Sequence, residues 1–223
     1  MARGTVKICS LREVEHAEWV AASEADHFGL IFAPARRQVT IQRAAEIIAA
    51  VASASVGRGP APVGVFVDQN IVVLNNIVDA LGLAMVQLHG EESAEYVEYV
   101  QAPVLKAIRP KPDETFDVIA WRMDSYRVGR QASTTFLVEG FHPDHAGGQG
   151  VRADWEMARR LAERFPMVLA GGLTPETVGL AIEAVAPLGV DVSSGVESAG
   201  LKDHAKIVEF VTNARAAYTK GNR

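Results

Sequence analysis

The chain has a single cysteine, Cys9, among its 223 residues. A lone cysteine cannot form a disulfide within the chain, and it cannot build a metal site from several thiolates. Proteins without disulfides are typical of reducing compartments. The sequence therefore favours a cytoplasmic protein with no thiolate-based metal site.

Basic charge and long apolar runs are also scarce. The 22 Lys and Arg residues are outnumbered by 27 Asp and Glu residues, for a net charge of -5, which is unlike a typical nucleic-acid binder. No apolar run approaches the ~18 residues that a membrane helix needs, and the opening MARGTVKICS has no apolar signal-peptide core. We therefore expect no nucleic-acid partner and no membrane segment.

The chain instead shows a regular alternation of strand and helix patterns. Short runs rich in Val, Ile and Leu alternate with longer stretches of helical period, and no linker interrupts them. This alternation predicts βα units around a buried parallel sheet, in one domain over residues 1–223. The predicted strands are Val6–Cys9, Phe28–Phe32, Val63–Val67, Met85–Leu88, Val104–Ile108, Thr135–Val138, Met167–Ala170 and Gly189–Val192. The predicted helices are Val14–Ala22, Ile41–Ala52, Val72–Leu81, Ala94–Val100, Asp117–Trp121, Ala153–Arg164, Glu176–Ala184 and Ala205–Tyr218.

Eight equivalent strands predict a single-domain α/β fold, the (β/α)8 TIM barrel. A doubly wound sheet also alternates strands and helices, but its glycine-rich phosphate loop usually follows the first strand. Here the small residues come late in the chain, at Gly171 and Gly172 after strand seven and at Ser194 and Gly195 after strand eight. Two such turns offer converging backbone N–H groups for a phosphate, although each alone could be an ordinary βα turn.

In a barrel, catalytic groups stand where the strands end. Lys7 and Cys9 close the first strand, His89 follows the fourth, and Glu139 follows the sixth. Each residue has another interpretation: Cys9 as a small buried side chain, Glu139 as a solvated carboxylate, and His89 as a structural residue bonded to backbone. The strand ends therefore indicate candidates without settling their roles.

Two loops supply further candidates. Arg36 and Arg37 follow the second strand and could clamp a carboxylate or phosphate. The segment FHPDHAGGQG at 141–150 has two histidines, but no other likely metal ligand accompanies them beyond Asp144, so we expect no metal there. Gly147, Gly148 and Gly150 favour a mobile lid in this segment.

Taken together, these stretches resemble the phosphoribosylanthranilate isomerase family over nearly the whole chain. The matching motifs are VKIC at 6–9, GVFV at 64–67, VQLHG at 86–90, GGQG at 147–150 with DW at 154–155, GGL at 171–173, and VDVSSGVES at 190–198 with KD at 202–203. The resemblance implies an isomerase of tryptophan biosynthesis without a cofactor. Its reaction is the Amadori rearrangement of N-(5-phosphoribosyl)anthranilate to 1-(2-carboxyphenylamino)-1-deoxyribulose 5-phosphate.

The resemblance also implies roles for individual residues. The family's base is a cysteine after strand one, here Cys9, and its acid is an aspartate after strand six, where this chain has Glu139. Both residue types suit the chemistry, because ring opening needs a proton on the ring oxygen and tautomerisation removes the C2′ proton. Arg37 would face the anthranilate carboxylate. The full set of predicted substrate-binding residues is Lys7, Arg37, His89, Gly148, Gly171, Gly172, Ser194 and Gly195.

Three departures from the family pattern concern the catalytic end. Glu139 is longer than the family's aspartate by one C–C bond, ~1.5 Å, and a misplacement near 1 Å can cost ~100-fold in rate. Ser10 stands where the family's KICG motif has glycine, and the loop after strand two is about one residue shorter, so Arg36 or Arg37 could hold the family position.

Three functions remain open from the sequence. The first is the isomerase of tryptophan biosynthesis with a glutamate acid. The second is a paralogue acting on another phosphorylated sugar amine or aldose, and the third is a catalytically weak phosphosugar-binding barrel that serves a partner protein. The expected partner in the first two is a small phosphosugar, and the protein is expected to be a monomer or homodimer.

Overall fold

The strands close into a barrel. The computed structural model of the chain describes residues 4–57, 59–127, 129, 134–140 and 153–220. Over these ranges the barrel strands are β1 (Thr5–Ile8), β2 (His27–Ile31), β3 (Ala61–Phe66), β4 (Met85–Leu88), β5 (Val104–Ile108), β6 (Thr135–Val138), β7 (Met167–Leu169) and β8 (Gly189–Val192). Each strand pairs in parallel with the next, and β8 pairs with β1. The predicted (β/α)8 barrel is confirmed.

A helix follows each strand. The helices are α1 (His16–Ala22), α2 (Ile41–Ala54), α3 (Ile71–Leu81), α4 (Ala94–Glu98), α5 (Phe116–Ser125), α6 (Trp155–Ala162), α7 (Pro175–Val185) and α8 (His204–Lys220). Five of them begin at a side chain that accepts hydrogen bonds from first-turn N–H groups, namely Thr40, Asn70, Ser93, Asp154 and Asp203. These caps fix where the preceding loop ends. In the described ranges, no helix is long and apolar enough to span a bilayer.

The alternation of side chains along each strand separates an outer core from the barrel interior. The outer core, between strands and helices, takes Val6 and Ile8 of β1 and the corresponding apolar residues of the other strands. Successive residues of a strand point to opposite faces, so Lys7 and Cys9 point to the interior. A smaller apolar cluster fills the interior near β5 to β7, formed by Leu105, Ala107, Leu137, Val168 and Ala170 with Met85 packed against it.

The same alternation turns polar residues inward at the carboxyl ends of other strands. Leu88 lies in the outer core, so Gln87 and His89 face the interior from β4. Likewise, Glu139 follows inward-facing Leu137 by two residues. The interior is therefore apolar in its middle layer and polar at the mouth.

The sequence missed two small elements in the loop after β8. A short 3₁₀ helix covers Ser194–Val196, and an antiparallel pair of two-residue strands, β9 (Glu197–Ser198) and β10 (Leu201–Lys202), follows it. The fifth helix was also predicted too short, as Asp117–Trp121, whereas α5 runs from Phe116 to Ser125.

Candidate active site

Cys9 lies at the barrel mouth directly after β1. Its backbone N–H donates to the carbonyl of Val192 on β8 at 2.8 Å, and the residue is 5% exposed. Gly29 of β2 faces the sulfur so closely that a Cβ at position 29 would stand 2.6 Å from Sγ. Glycine at that position is what makes room for the thiol.

Lys7 and Asp191 form a buried ion pair beneath the thiol. Lys7 Nζ donates to Asp191 Oδ1 at 2.7 Å, across the β1–β8 seam. Burial by itself lowers the pKa of Lys7, but Asp191 and Cys9 outweigh burial and leave that pKa above its usual value. Lys7 therefore stays charged beside Cys9.

Glu139 is held by His89 across the mouth. His89 Nε2 and Glu139 Oε1 are 2.6 Å apart, and Gln87 Nε2 lies 2.8 Å from His89 Nδ1. All three side chains are buried. Because the Gln87 amide donates to Nδ1, the imidazole proton belongs on Nε2, which donates to the carboxyl of Glu139.

Ser10 adopts a left-handed backbone conformation, with φ of 68°. Glycine adopts this region without strain, which explains the family's glycine at this position. The Ser10 hydroxyl hydrogen-bonds the hydroxyl of Ser193 at 2.8 Å. Its side chain is thus tied to the loop after β8.

The two glycine turns meet, as their positions in the sequence predict. Gly171 and Gly172 have φ of 87° and 65°, a conformation that favours glycine. A Cβ at Gly195 would overlap the carbonyl oxygen of Leu173. The loop after β7 and the 3₁₀ turn carrying Ser194 and Gly195 are therefore packed backbone to backbone.

Arg37 is engaged by Glu197 of β9. Its Nε and Nη2 donate to the two carboxylate oxygens of Glu197 at 2.9 and 2.8 Å. Lys202 of β10 donates to Glu197 Oε1 at 3.2 Å, while Arg36 Nη2 lies 3.7 Å from Oε2 with a side chain that is 61% exposed. Burial raises the pKa of Glu197, but Arg37 and Lys202 overcome burial and lower it on balance.

Gly148 and the histidines of the predicted lid lie outside the described residues. Over the ranges the structure does describe, no group of three His, Cys, Asp or Glu side chains is placed to hold a metal ion. The remaining predicted residues are gathered on one end of the barrel.

Sequence reasoning missed several residues of this site, among them Asp191, which pairs with Lys7. Gln87 could have been found, because its inward face is shared with His89 two residues later. Gly29 could not have been found, because its role is to leave space for a thiol on the neighbouring strand. Glu197 and Lys202 come together through β9 and β10, whose two-residue strands leave no periodic signal.

Comparisons with known proteins agree with this fold. The chain matches the family model described as N-(5'phosphoribosyl)anthranilate (PRA) isomerase over residues 6–213. It is 45% identical over 214 residues to the N-(5'-phosphoribosyl)anthranilate isomerase of Roseiflexus castenholzii, covering 95% of this chain and 98% of that protein. The crystal structure of phosphoribosyl anthranilate isomerase from Thermotoga maritima superposes with a TM-score of 0.81 at 32% identity, covering 96% of this chain and 99% of that one.

A second crystal structure of such an isomerase shows a ligand. That enzyme is in complex with reduced 1-(o-carboxyphenylamino)-1-deoxyribulose 5-phosphate, and its chain matches with a TM-score of 0.78 at 32% identity. The match covers 96% of this chain and 99% of that chain.

Proposed function

Because the chain belongs to the N-(5'-phosphoribosyl)anthranilate isomerase family, we propose that it carries out this isomerisation with Cys9 as general base and Glu139 as general acid. The activity is that of an intramolecular oxidoreductase of the aldose–ketose type, in tryptophan biosynthesis, as the sequence predicted. The paralogue and the catalytically weak phosphosugar-binding barrel are not favoured, since the relatives reported above are isomerases of the same name.

These two roles are supported by one observation: a thiol and a carboxyl, both buried, lie on opposite sides of the barrel mouth. Cys9 follows β1 and Glu139 follows β6, and both are less than 10% exposed. Glu139 protonates the ring oxygen as the C1′–O bond breaks, which gives the Schiff base. Cys9 then removes the C2′ proton, and the resulting enolamine tautomerises to the ketose.

His89 orients the acid in this scheme. One oxygen of Glu139 accepts from His89 Nε2, so the other oxygen is left to carry the transferable proton. The longer glutamate reaches the imidazole at hydrogen-bond distance. This contact explains how Glu139 can serve where the family has aspartate.

The two ends of the substrate are assigned to different loops. The phosphate binds the backbone of Gly171, Gly172, Ser194 and Gly195, supported by the packing of the two turns. The anthranilate carboxylate meets Arg37, which Glu197 holds at the mouth. Lys7, whose ammonium is paired with Asp191, acts through Cys9. We place the enzyme in the cytoplasm, as a monomer or homodimer.

Removing the thiol tests the assignment of the base. Cys9→Ala should lower kcat on phosphoribosylanthranilate by ~100-fold or more while KM changes little, as expected when a positioned proton-transfer group is lost. Cys9→Ser is the matched control for size, because it keeps a small side chain but not an acidic one, and it should be similarly slow. Near-normal turnover in a folded Cys9→Ala protein would move the base elsewhere.

A further inference from the structure

Lys202 is a buried cation that the mechanism above does not use. Its side chain is 2% exposed, and its ammonium donates to the carbonyl of Ser193 at 2.8 Å and to Glu197 Oε1 at 3.2 Å. Ser193 immediately follows Val192, whose carbonyl accepts the backbone N–H of Cys9. The ammonium is therefore anchored one residue from the strand position that holds the base.

The position of Lys202 is set by the β9–β10 pair. Glu197 and Lys202 are directly opposite each other in its register, and cross-strand neighbours of opposite charge attract. The N–H of Asp203 donates to the carbonyl of Val196 at 2.9 Å, which closes the hairpin onto the start of α8. This loop thus places Lys202 at the barrel mouth, although 193 positions separate it from Cys9 in the sequence.

The charges around the thiol leave one positive charge in excess. Lys7 on β1 is neutralised by Asp191 on β8. Among the buried side chains, Glu197 on β9 is shared between Lys202 and Arg37, which makes two cations against one anion. Arg36 also lies 3.7 Å from Glu197, but its side chain is 61% exposed and solvent screens its charge. On the facing strand β2, the residue beside the sulfur is the uncharged Gly29. A thiolate at Cys9 would balance the surplus.

We propose that Lys202 is a positioning residue for the base, whose buried ammonium stabilises the thiolate of Cys9 and so keeps it competent to take a proton. The proposal rests on the function assigned to Cys9 above. Burial lowers the pKa of Lys202, and its attraction to Glu197 and to Cys9 offsets part of that lowering.

Alkylation of the thiol measures this effect directly. Cys9 is the chain's only cysteine, so the pH dependence of its reaction with iodoacetamide reports on one group, because the thiolate is the reactive form. Lys202→Met should move the midpoint of that profile up by about one pH unit, the scale expected for losing a nearby opposite charge. Alkylation below the midpoint should then be roughly tenfold slower.

Three further variants separate charge from structure. Glu197→Gln should move the midpoint down, because it removes the anion that competes with the thiolate for Lys202. Lys202→Arg keeps the charge and should restore most of the wild-type profile. Lys206→Met is the matched control, since Lys206 donates to the Glu197 carbonyl at 2.9 Å from α8 and its removal should leave the midpoint unchanged.

Unshifted profiles in folded Lys202→Met and Glu197→Gln would overturn the proposal. If Lys202→Met does not fold, Glu197→Gln decides, and an unchanged or raised midpoint there overturns it. Failure of the proposed function has a different signature: Cys9→Ala would turn over normally while the alkylation shifts remained. The acid limb of kcat/KM should move with the alkylation midpoint if the same thiolate is the base.

Discussion

Ser10 shows how a single residue can depart from the family pattern and remain compatible with the fold. A left-handed conformation costs an L-residue roughly 1–2 kcal/mol relative to its usual regions. The hydrogen bond between the hydroxyls of Ser10 and Ser193, at 2.8 Å, offsets part of that cost, since a hydrogen bond contributes a net stabilisation of about 1 kcal/mol. The serine is therefore tolerated because its side chain has a partner on β8's loop.

Two substitutions at this position should differ in stability. Ser10→Ala loses the hydrogen bond and keeps the strain, whereas Ser10→Gly loses the same bond and relieves the strain. We expect the glycine variant to be more stable than the alanine variant by about 1 kcal/mol. Urea unfolding with equal m-values would measure the difference, and equal midpoints would mean that position 10 is not strained.

Glu139 is the other residue where the chain departs from its family. Glu139→Gln should lower kcat/KM on phosphoribosylanthranilate by ~100-fold or more, because the amide has no proton to transfer. Glu139→Asp should not raise kcat/KM, since shortening the side chain breaks the 2.6 Å contact with His89. The ratios of kcat/KM read as transition-state free energies provide the test. A rise in Glu139→Asp would show that His89 does not hold the acid in its working position.

At the scale of elements, the loop after β4 is pinned by a buried ion pair outside the barrel. Lys106 of β5 donates to Glu92 Oε2 at 2.9 Å and to the Gly90 carbonyl at 2.7 Å. Glu92 also accepts from the backbone N–H groups of Asp68 and Gly90. The pair therefore fixes the segment that begins with His89.

The two partners differ in how they respond to burial. Burial raises the pKa of Glu92, but Lys106 and the backbone donors outweigh it and lower that pKa below the usual 4.5. Burial lowers the pKa of Lys106 by more than its attraction to Glu92 and its hydrogen bond to that residue restore. We therefore expect the ionisation of Glu92 to make the stability contributed by this pair depend on pH.

Breaking this pair should destabilise the protein strongly. Glu92→Gln leaves Lys106 buried without a counter-charge, at a cost of about 3–5 kcal/mol near neutral pH. The double variant Glu92→Gln with Lys106→Met should recover part of that loss, because the stranded charge is gone. Denaturant midpoints of the three proteins would check this, and a double variant as unstable as the single one would contradict it.

The same group gives stability a defined pH dependence. Because the folded pKa of Glu92 is lowered, its contribution is present above about pH 4.5 and is lost as pH falls through the folded value. Glu92→Gln should therefore lose less stability than the wild type when the pH is lowered below that point. Parallel slopes of unfolding free energy against pH would exclude Glu92 as the source.

The strands could be predicted where the pattern of apolar residues within the strand itself marks its bounds. The predicted bounds of β4, β5, β6 and β8 match the structure residue for residue, because each is a mainly apolar run bounded by turn residues. Lys106 was not recognised as a paired residue, since its partner lies 14 positions away in a loop. Likewise, the partner of Arg37 is Glu197, 160 residues away, and only the closed barrel brings them together.

At the scale of the whole molecule, Arg215 ties the barrel shut at the end opposite the site. From α8 it donates to the carbonyl of Gly4 before β1 at 2.5 Å and to Asp26 Oδ2 at 2.6 Å. Asp26 Oδ2 in turn accepts from the N–H of Val6 at 2.7 Å. One side chain thus joins the last helix to the first two strands.

Arg215→Ala should destabilise the protein by about 2 kcal/mol, as expected for charge-assisted hydrogen bonds that are largely buried. Turnover should be unaffected at temperatures where the variant is folded, because the contacts lie away from the mouth. Arg164→Ala is the matched control: its ion pair with Asp124 is about half exposed and contributes ~0–1 kcal/mol. Equal losses of unfolding free energy in the two variants would mean that the contacts of Arg215 contribute no more to stability than a surface ion pair.

The closure of β8 on β1 has a consequence during protein synthesis. The thiol of Cys9 emerges from the ribosome long before its partners on β8, since the Ser10–Ser193 contact spans 183 positions. At about 5–20 residues per second, that interval is on the order of 10 s or more. Throughout it, the thiol of the nascent chain is not yet covered by β8 and the loop that follows it. Cys9 is therefore most accessible to oxidants before the barrel has closed, and so before the enzyme has any activity to lose.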